Sequence, residues 1–467
     1  MPENQPLKWY ERIPHPVIML FGIIVITAAL SYILPAGAYE REVVDGRQRV
    51  VPGSYRLMAS TPVGLLDLFR AIPAGFKTAV DIIFVVLASG IMFGVLERSR
   101  MVENTVGTIV KNLGLQRKYL IVVLMTFVYG FLGVAIGYEN NIAMIPIAAV
   151  MSLALGGDLI LAAGISVGAV TVGFGLSPIN PYTVGTGHKI AEMPLFSGAP
   201  LRSVLCFLAL SLLAYYNVRY FKKILTNQSK SLGQNLDTDG FVLSRPLETY
   251  RITSNNWLLL GIFTSGIAVM LYGIFNLGWY INEISAIFLM IAVLSGLAAR
   301  MNGRLLSETV LRSIAVVAPG AFMVGYATSI KVVMEMGNIS DTIAHNLTEM
   351  LTVLPTYASA VAMSLAQSVI NFMIPSGSGQ ALATLPIMIP VGELLGLTRQ
   401  TTILAFQIGD GVTNLINPTL GGLIAMLSMC RVPFDRWLRF IVPLIGWILL
   451  IAWAALLLSV YIEWGPV

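Results

Sequence analysis

The sequence predicts an all-α polytopic membrane protein built from two inverted repeats, and three observations support this fold class. Of the 467 residues, 56% are hydrophobic and only 11% are charged, whereas soluble domains carry about 25% charged residues. Apolar segments of the ~20 residues that a spanning helix needs recur along the chain. An Asn-Pro motif with glycine shortly after it occurs twice inside such segments, at Asn180-Pro181 and Asn417-Pro418.

Nine segments have the length and composition of a membrane span. They cover residues 16–36, 79–97, 158–178, 202–221, 256–277, 280–299, 313–334, 398–416 and 437–462. The first is longer than the about 7–15 apolar residues of a signal peptide, so we expect it to be retained. Two further apolar stretches, 119–155 and 350–396, are each interrupted by a polar cluster. Neither arm is comfortably long enough to cross alone, so each stretch is predicted to be a re-entrant hairpin.

The two halves of the chain match each other at nearly constant spacing. Residues 143–147 resemble 383–387 at an offset of 240, and the second Asn-Pro follows the first at an offset of 237. The first predicted repeat covers residues 1–225 and contains hairpin 119–155 and broken helix 158–195. Residues 226–277 are predicted to form a cytoplasmic loop and a linking span. The second repeat covers 278–467 and contains hairpin 350–396 and broken helix 398–430. The single linking span inverts the second repeat, an arrangement found in many secondary transporters.

Charge predicts the orientation. With the N-terminus in the cytoplasm, most of the 29 Lys and Arg residues fall in cytoplasmic segments, as the positive-inside rule requires. We therefore expect a multi-pass protein of the inner (cytoplasmic) membrane, surrounded by lipid. The net charge of +5 is explained by these loops, and no basic run with interleaved aromatic residues indicates nucleic-acid binding.

Broken helices predict a binding site. Non-helical backbone at membrane depth is tolerated only where protein or a water-filled cavity satisfies it, and paired breaks in two halves point to a transport site. We expect each hairpin tip to face the break of its own half, and Asn180 and Asn417 to offer oxygens and amides to a substrate or an ion. The candidate binding residues are Glu139, Asn140, Asn141, Ser177, Asn180, Pro181, Thr183, Ser376, Gly377, Ser378, Gly379, Gln380, Asp410, Asn414, Asn417, Pro418 and Thr419.

Two carboxylates stand out among these candidates. An acidic group at bilayer depth costs about 3 kcal/mol on insertion scales, so Glu139 and Asp410 are expected to have a task. Either could carry a proton, help to hold sodium or pair with a cationic substrate, and the alternative is an internal ion pair or a helix cap. His188 and Lys189 follow the first break, and we expect them at a boundary with water.

Enzyme chemistry is not indicated. The sequence contains no P-loop for ATP, and Ser378 lacks the surroundings of a nucleophile elbow. The two cysteines lack metal-ligand spacing. We expect no enzyme activity and no cofactor other than a sodium ion or a proton that drives transport.

Three motifs carry a family resemblance: Gly137-Tyr138-Glu139-Asn140-Asn141, residues 177–181 (Ser-Pro-Ile-Asn-Pro) and residues 413–418 (Thr-Asn-Leu-Ile-Asn-Pro). They resemble the ion transporter superfamily, and within it the YfcC-like branch, which is related to DcuC-type C4-dicarboxylate carriers and basic amino acid antiporters. The resemblance implies a homodimer in which a transport domain slides as an elevator along a scaffold domain. It also implies sodium sites at two sets of residues, which are Asn140, Asn141 and Asn180, and Ser376, Ser378 and Asn417.

The sequence thus favours a secondary active transporter of a small amino acid, with an exchanger of basic amino acids such as arginine and ornithine as the leading hypothesis. Glu139 and Asp410 favour a positively charged substrate. The alternative is a sodium- or proton-coupled carrier of C4-dicarboxylates, whose anionic substrate the positive ends of half-helices would hold. A channel is less favoured, because opposed hairpins indicate two gates around an occluded site.

Overall fold

The computed structural model describes residues 16–44, 47–51, 53–277, 279, 281–351 and 354–465, and most of them are helical. The N-terminus, predicted to be cytoplasmic, lies outside the described residues. In the first part of the chain the helices are α1 (Pro16–Ile33), α2 (Leu65–Thr78), α3 (Val80–Arg98), α4 (Met101–Leu113), α5 (Lys118–Ile136), α6 (Ile145–Ala154), α7 (Leu159–Ala163), α8 (Ala169–Gly175), α9 (Thr186–Ile190) and α10 (Ala199–Thr226). In the second part they are α11 (Ser254–Leu277), α12 (Ile281–Ala298), α13 (Gly303–Met336), α14 (Ser340–Leu351), α15 (Thr356–Met373), α16 (Gly377–Leu394), α17 (Arg399–Thr413), α18 (Gly421–Met429) and α19 (Phe434–Tyr461).

Seven stretches of helix among the described residues are long and apolar enough to cross a membrane. They are Val80–Arg98, Leu115–Val134, Ala199–Thr226, Ser254–Gly273, Ile281–Ala298, Gly303–Met336 and Phe434–Tyr461. A polytopic all-α membrane protein is thereby confirmed.

One argument of the span prediction is wrong, and one predicted span contains an irregular turn. The first hairpin arm, α5, has 19 residues and belongs to a stretch that could cross a membrane by its length and composition, so the argument that both arms are too short fails for this arm. The predicted span 158–178 is not one regular helix, because a π-helical turn at Gly164–Gly168 separates α7 from α8. Single π-helical turns inside helices are frequent at functional sites.

Two short antiparallel strand pairs follow α1 and were not predicted. Strand β1 (Gly37–Ala38) pairs with β4 (Arg56–Leu57), and β2 (Arg41–Val44) pairs with β3 (Arg47–Val50). A bidentate ion pair, with Arg41 Nη2 at 2.7 and 2.8 Å from the two carboxylate oxygens of Asp341, fastens this ribbon to α14. Helix α2, also absent from the prediction, precedes α3.

The helices pack in two groups that together position the site. In one group, α13 lies along α2 and α3, and α12 lies along α3. In the other group, the first arm of each hairpin packs on the first half of the broken helix that follows it: α5 packs on α8, and α15 packs on α17. We call the first group the α3/α13 body and the second the hairpin body. Helix α18 of the hairpin body packs on α13, so the two groups share an interface.

Polar caps fix where the helices of the hairpin body begin. Asp158 Oδ1 accepts a hydrogen bond from Leu161 N at 2.8 Å before α7, and Thr398 Oγ1 accepts one from Thr401 N at 3.1 Å before α17. Ser376 caps α16 in the same way. Each cap satisfies a backbone amide that has no partner within its helix.

The two broken helices cross at a pair of glycines. A Cβ atom at Gly411 would lie 2.5 Å from both Cα and O of Gly175, and the reverse substitution is equally obstructed. Only residues without a side chain let α8 and α17 approach this closely. The crossing places the last turn of α8 beside Asp410, so both breaks begin next to each other.

Candidate functional site

The first break is closed by the side chain of Asn180. Its Nδ2 donates to Phe174 O at 3.0 Å, and its Oδ1 accepts from Tyr182 N at 2.8 Å and Thr183 N at 3.3 Å. Pro181, which lacks an amide hydrogen, begins a π-helical turn that leads into α9. Asn180 therefore replaces backbone hydrogen bonds that the unwound segment has lost.

The second break has the same design at Asn417. Its Nδ2 donates to Asn371 O at 2.8 Å, and its Oδ1 accepts from Thr419 N at 2.9 Å and from Thr419 Oγ1 at 2.6 Å. Pro418 lies in the unwound segment between α17 and α18. Both asparagine oxygens thus accept two hydrogen bonds from groups of their own breaks, and their predicted contact with an ion or substrate stays a prediction.

The two hairpin tips have different local structures. Glu139–Met144 form a 3₁₀ helix with Asn140, Asn141 and Ile142 buried. The second tip forms the first turn of α16, with Ser376 Oγ accepting from Gly379 N at 3.3 Å.

Each tip also contacts the break of the other half, which the sequence did not predict. A Cβ atom at Gly377 would lie 2.5 Å from Thr183 Cγ2 and 3.5 Å from Asp410 Oδ2, so the second tip meets the first break. A Cβ atom at Gly422 would lie 3.3 Å from Glu139 Oε1, so the first tip meets the start of α18. The arrangement within each half exists as well, since Asn417 binds the end of α15.

A cavity of about 150 Å³ lies where tips and breaks converge. It is lined by residues from both tips, both breaks and the α3/α13 body: Ile82, Gly137, Tyr138, Glu139, Asn140, Phe174, Tyr182, Ile281, Pro375, Ser376, Gly377, Ser378, Asn414 and Leu420. Six of the predicted site residues are among them. The lining contains one carboxylate, from Glu139, and no Lys, Arg or His side chain from the described residues.

Four further candidates, outside the lining of this cavity, are buried and hydrogen-bonded. Asn141 is fully buried, and its Nδ2 donates to Gly137 O at 2.5 Å. Ser177 Oγ accepts from Ile179 N at 3.2 Å. Thr419 Oγ1 lies 2.9 Å from Phe372 O, and Gln380 Nε2 donates to Gln367 Oε1 at 2.7 Å.

Asp410 is a buried carboxylate without compensation. It has no exposed surface, and no described residue donates a hydrogen bond to Oδ1 or Oδ2. The buried Thr183 hydroxyl also lacks a hydrogen-bond partner among the described residues, and the Thr183 side chain, like Asp410, lies next to Gly377. A buried charge is normally paired or bound to a cation, so these atoms mark a place for a proton or a small cation.

The second carboxylate, Glu139, has a different environment. Its Oε1 lies at the first turn of α18, which begins at Gly421. A negative charge at a helix N-terminus is stabilised by the helix dipole and the free amides. Glu139 therefore fits the helix-cap alternative better than Asp410 does.

A buried arginine network, missed by the sequence interpretation, connects the two breaks. Arg202 has no exposed surface. Its Nε donates to Gln407 Oε1 at 2.9 Å and its Nη2 to Gln400 Oε1 at 3.0 Å, while Gln407 Nε2 donates to Ser177 O at 2.7 Å. In the sequence, a single arginine at the start of a span is typical of an interfacial side chain that reaches toward water.

The prediction that His188 lies at a boundary with water is wrong. His188 is fully buried, with Nε2 at 3.0 Å from Gln400 Oε1 and Nδ1 accepting from Phe196 N at 2.9 Å. Lys189 is exposed, as expected. The short helix α9 is too tightly packed against α16 to expose both side chains.

The sequence interpretation also missed two buried amide side chains on α15, which bond to α16 and α17. Gln367 and Asn371 are both buried and lie four residues apart, on one face of α15. Asn371 Nδ2 donates to Asp410 O at 3.0 Å and to Asn414 Oδ1 at 2.8 Å. Two amides at this spacing in an apolar arm are a signal that could have identified them.

Among the described residues, no group of three His, Cys, Asp or Glu side chains could hold a metal ion. A sodium ion needs only oxygen ligands, and the unpartnered oxygens of Asp410 and Thr183 fit it better than those of Asn180 and Asn417. Hard cations prefer such carboxylate and hydroxyl oxygens.

Crossing helices, two unwound breaks and a partly polar cavity where they converge are features of a multi-pass membrane transporter for a small molecule. Residues 13–461 match the family described as C4-dicarboxylate anaerobic carrier (DcuC), and the chain belongs to that family. The predicted resemblance is thereby confirmed. A relative from Escherichia coli K12, YfcC, provisionally named a basic amino acid antiporter, is 28% identical over 95% of both chains. An uncharacterised protein from Haemophilus influenzae is 24% identical over 96% of this chain and 97% of its own.

Two solved structures show weaker likeness. Neisseria gonorrhoeae MtrF, from a class described as antimetabolite efflux pumps, has 17% identity and a TM-score of 0.45, with 97% of both chains covered. The Alcanivorax borkumensis YdaH transporter has 17% identity and a TM-score of 0.44, covering 97% of this chain and 100% of its own. These scores are too low to carry an argument.

Proposed function

We propose that the protein is a secondary active transporter that exchanges small amino acids, with basic amino acids such as arginine and ornithine as its preferred substrates. The observation that carries this proposal is the charge of the site. The cavity has a carboxylate and no described cationic side chain in its lining, and a second, uncompensated carboxylate lies behind it. Such a site attracts a positive substrate and would repel a dicarboxylate unless cations accompanied it.

Asp410 and Thr183 are proposed to bind the coupling cation, either a proton or sodium. Both lie against Gly377 of the second tip, so a cation there would fasten the tip to the first break. Binding of the cation would then strengthen the attachment of a tip that borders the substrate cavity, and its release would weaken that attachment. This is the differential contact that coupling between two ligands requires.

Transport is proposed to follow an elevator mechanism in a homodimer, with the hairpin body sliding along the α3/α13 body. The two inverted repeats are supported by paired helix lengths, since α10 and α19 both have 28 residues. Inverted repeats place a substrate site near the midplane, where it can face either side alternately.

Exchange in proteoliposomes tests the substrate. Vesicles preloaded with unlabelled arginine should take up labelled arginine or ornithine in a saturable way, and succinate should compete weakly. Exchange of succinate without exchange of either basic amino acid would refute the cationic assignment.

Asp410→Asn tests the coupling role. It keeps the shape and removes the charge, so we expect coupled uptake to be lost while the protein still folds. Asp67→Asn is the matched control, because Asp67 is partly exposed and its ion pair within the described residues is with Arg70 on the same helix, α2. Unchanged dependence on sodium and pH in Asp410→Asn would exclude this residue from coupling.

A C4-dicarboxylate carrier remains the second candidate, and one observation favours it. Helices α16 and α18 both begin at the cavity, next to Ser376 and Leu420. Their positive ends could hold carboxylate groups. In that case sodium or a proton must neutralise Asp410, and succinate uptake should require the cation gradient.

A further inference from the structure

A second, larger cavity of about 330 Å³ lies between the two helix bodies. Its walls are α3, α13, the end of α18 and a segment of the loop between the repeats: the lining includes Gly90, Phe93, Gly94, Glu97, Thr309, Arg312, Ser313, Ser428 and Arg431, with Asp237, Asp239, Gly240 and Phe241 from the loop. None of the candidate site residues is in this lining.

Three elements that border the small cavity also border the large one. Helix α3 contributes Ile82 to the first and Gly90 to the second, and the α18 segment contributes Leu420 and Ser428. The first hairpin contributes Tyr138 to the small cavity and Pro146 to the large one. Eight residues of helix rise by about 12 Å, so the two cavities lie about that far apart along the same three elements.

A segment that we call the strap, residues 231–250, covers one end of the large cavity. Phe241 is only 3% exposed, with its ring 6.0 Å from that of Phe93 on α3 and Arg431 Cζ 4.7 Å from its centre. The strap thus contacts the α3/α13 body on one side and the end of α18 on the other.

Ion pairs hold the covering part of the strap. Arg431 Nη1 lies 2.8 Å from Asp237 Oδ2, and Arg312 Nη2 lies 3.3 Å from Asp239 Oδ2. The second pair is exposed to solvent on both sides, at 77% and 76%. Exposed pairs are weak and screened by salt, so the Asp239 pair adds little to the attachment, and this end is held mainly by the buried Phe241 ring and the Asp237–Arg431 pair.

The other end of the strap is attached more firmly. Glu103 Oε1 on α4 accepts hydrogen bonds from Ser244 N at 2.7 Å and from the Tyr250 hydroxyl at 2.5 Å. Lys111 Nζ donates to Glu248 O at 2.9 Å. A segment fastened at residues 244–250, and held at 237–241 by one aromatic side chain and two ion pairs, can act as a hinged lid when those few contacts break.

We propose that the large cavity is the vestibule through which the solute reaches the small cavity, and that strap residues 237–241 are its lid. This inference rests on the proposed transport function. The mouth presents acidic groups of Glu97, Asp237 and Asp239 together with the guanidinium groups of Arg312 and Arg431. Both signs of charge suit a zwitterionic amino acid, which carries an ammonium and a carboxylate group.

Thiol labelling tests the vestibule. Ser428→Cys is placed in a protein whose buried Cys206 and Cys430 are replaced by alanine, and a charged, membrane-impermeant methanethiosulfonate reagent is applied to vesicles of either orientation. We expect labelling from the face that carries the strap, which the distribution of Lys and Arg assigns to the cytoplasm. Thr309→Cys, on the opposite wall, serves as a second reporter if the first variant does not fold.

The double variant Asp237→Asn/Asp239→Asn tests the lid. Removing the carboxylates should raise the labelling rate roughly two- to fivefold, the range that an exposed ion pair supplies. Asp67→Asn, which breaks an ion pair within α2, should leave the rate unchanged. Equal labelling from both faces, unreactive reporters, or an unchanged rate in the double variant would overturn the proposal. Labelling does not depend on which solute is carried, so a failure to exchange arginine would leave this result standing.

Discussion

The glycine crossing between the broken helices yields a quantitative prediction for Gly411→Ala. The new Cβ atom would lie 2.5 Å from the Gly175 backbone, whereas ordinary contacts begin at 3.4 Å, so the helices must separate by about 0.9 Å. No side chain can rotate to relieve this clash. Overpacking costs about 1–3 kcal/mol, and the better helix propensity of alanine returns about 1 kcal/mol. The free energy of unfolding should therefore fall by up to about 2 kcal/mol.

Function should suffer more than stability. The displaced turn contains Asp410, and a binding site tolerates errors of only about 0.5 Å in its geometry. We expect exchange of labelled arginine to fall at least tenfold while the purified protein keeps a cooperative thermal transition. Gly261→Ala on α11 is the matched control, because a Cβ atom there meets nothing within 4 Å. A variant at position 411 with normal exchange and an unchanged melting temperature would refute the importance of the crossing.

Three further predictions concern single side chains. Asn417→Ala should lower the free energy of unfolding by about 2 kcal/mol, because it removes the closure of the second break; a melting temperature equal to that of the parent would contradict this. Arg202→Lys keeps the charge but loses the forked contact with two glutamines, so thermal unfolding should occur earlier, and unchanged unfolding would argue against the network. Burial raises the pKa of Glu103, but hydrogen bonds from Ser244 and Tyr250 outweigh it and the pKa is lowered. The carboxylate therefore stabilises the strap above the ordinary glutamate pKa, and this contribution is lost as the pH falls through the lowered value. Limited proteolysis of the strap should accelerate at that acidic pH in the parent, while Glu103→Gln should be cleaved faster already at neutral pH; equal cleavage of both at all pH values would contradict it.

Much of the architecture followed from apolar segment length and from breaks in helix pattern. The Asn-Pro motifs correctly located both unwound segments, because proline removes a donor and glycine loosens the backbone wherever they occur. Helix α2 and the strands near Tyr39 were not predicted, because the mean hydropathy of a long segment does not detect a short amphipathic helix or a short strand. The length argument also misjudged α5, whose 19 residues equal those of the span α3.

Individual roles within the site depended on contacts that no local pattern encodes. Asn180 and Asn417 were expected to face a ligand, yet their oxygens bind the backbone of their own breaks. Arg202 and Gln407 meet across 205 positions of sequence, and the residues next to Arg202 in the sequence do not mark it as part of a site. The residue types at the breaks were predictable, whereas their hydrogen-bond partners required the tertiary structure.

Glu139 and Asp410 show why the tertiary surroundings of a residue, and not its type alone, decide its role in the mechanism. In the sequence, Glu139 and Asp410 are equivalent acidic groups at membrane depth. In the structure, Glu139 lies at the first turn of α18, where the helix end stabilises its negative charge without removing it. Asp410 has no such fixed compensation among the described residues. A charge that only a mobile cation can neutralise links occupancy of that position to the packing of the second tip against Thr183, and this link is the physical requirement for coupling transport to an ion.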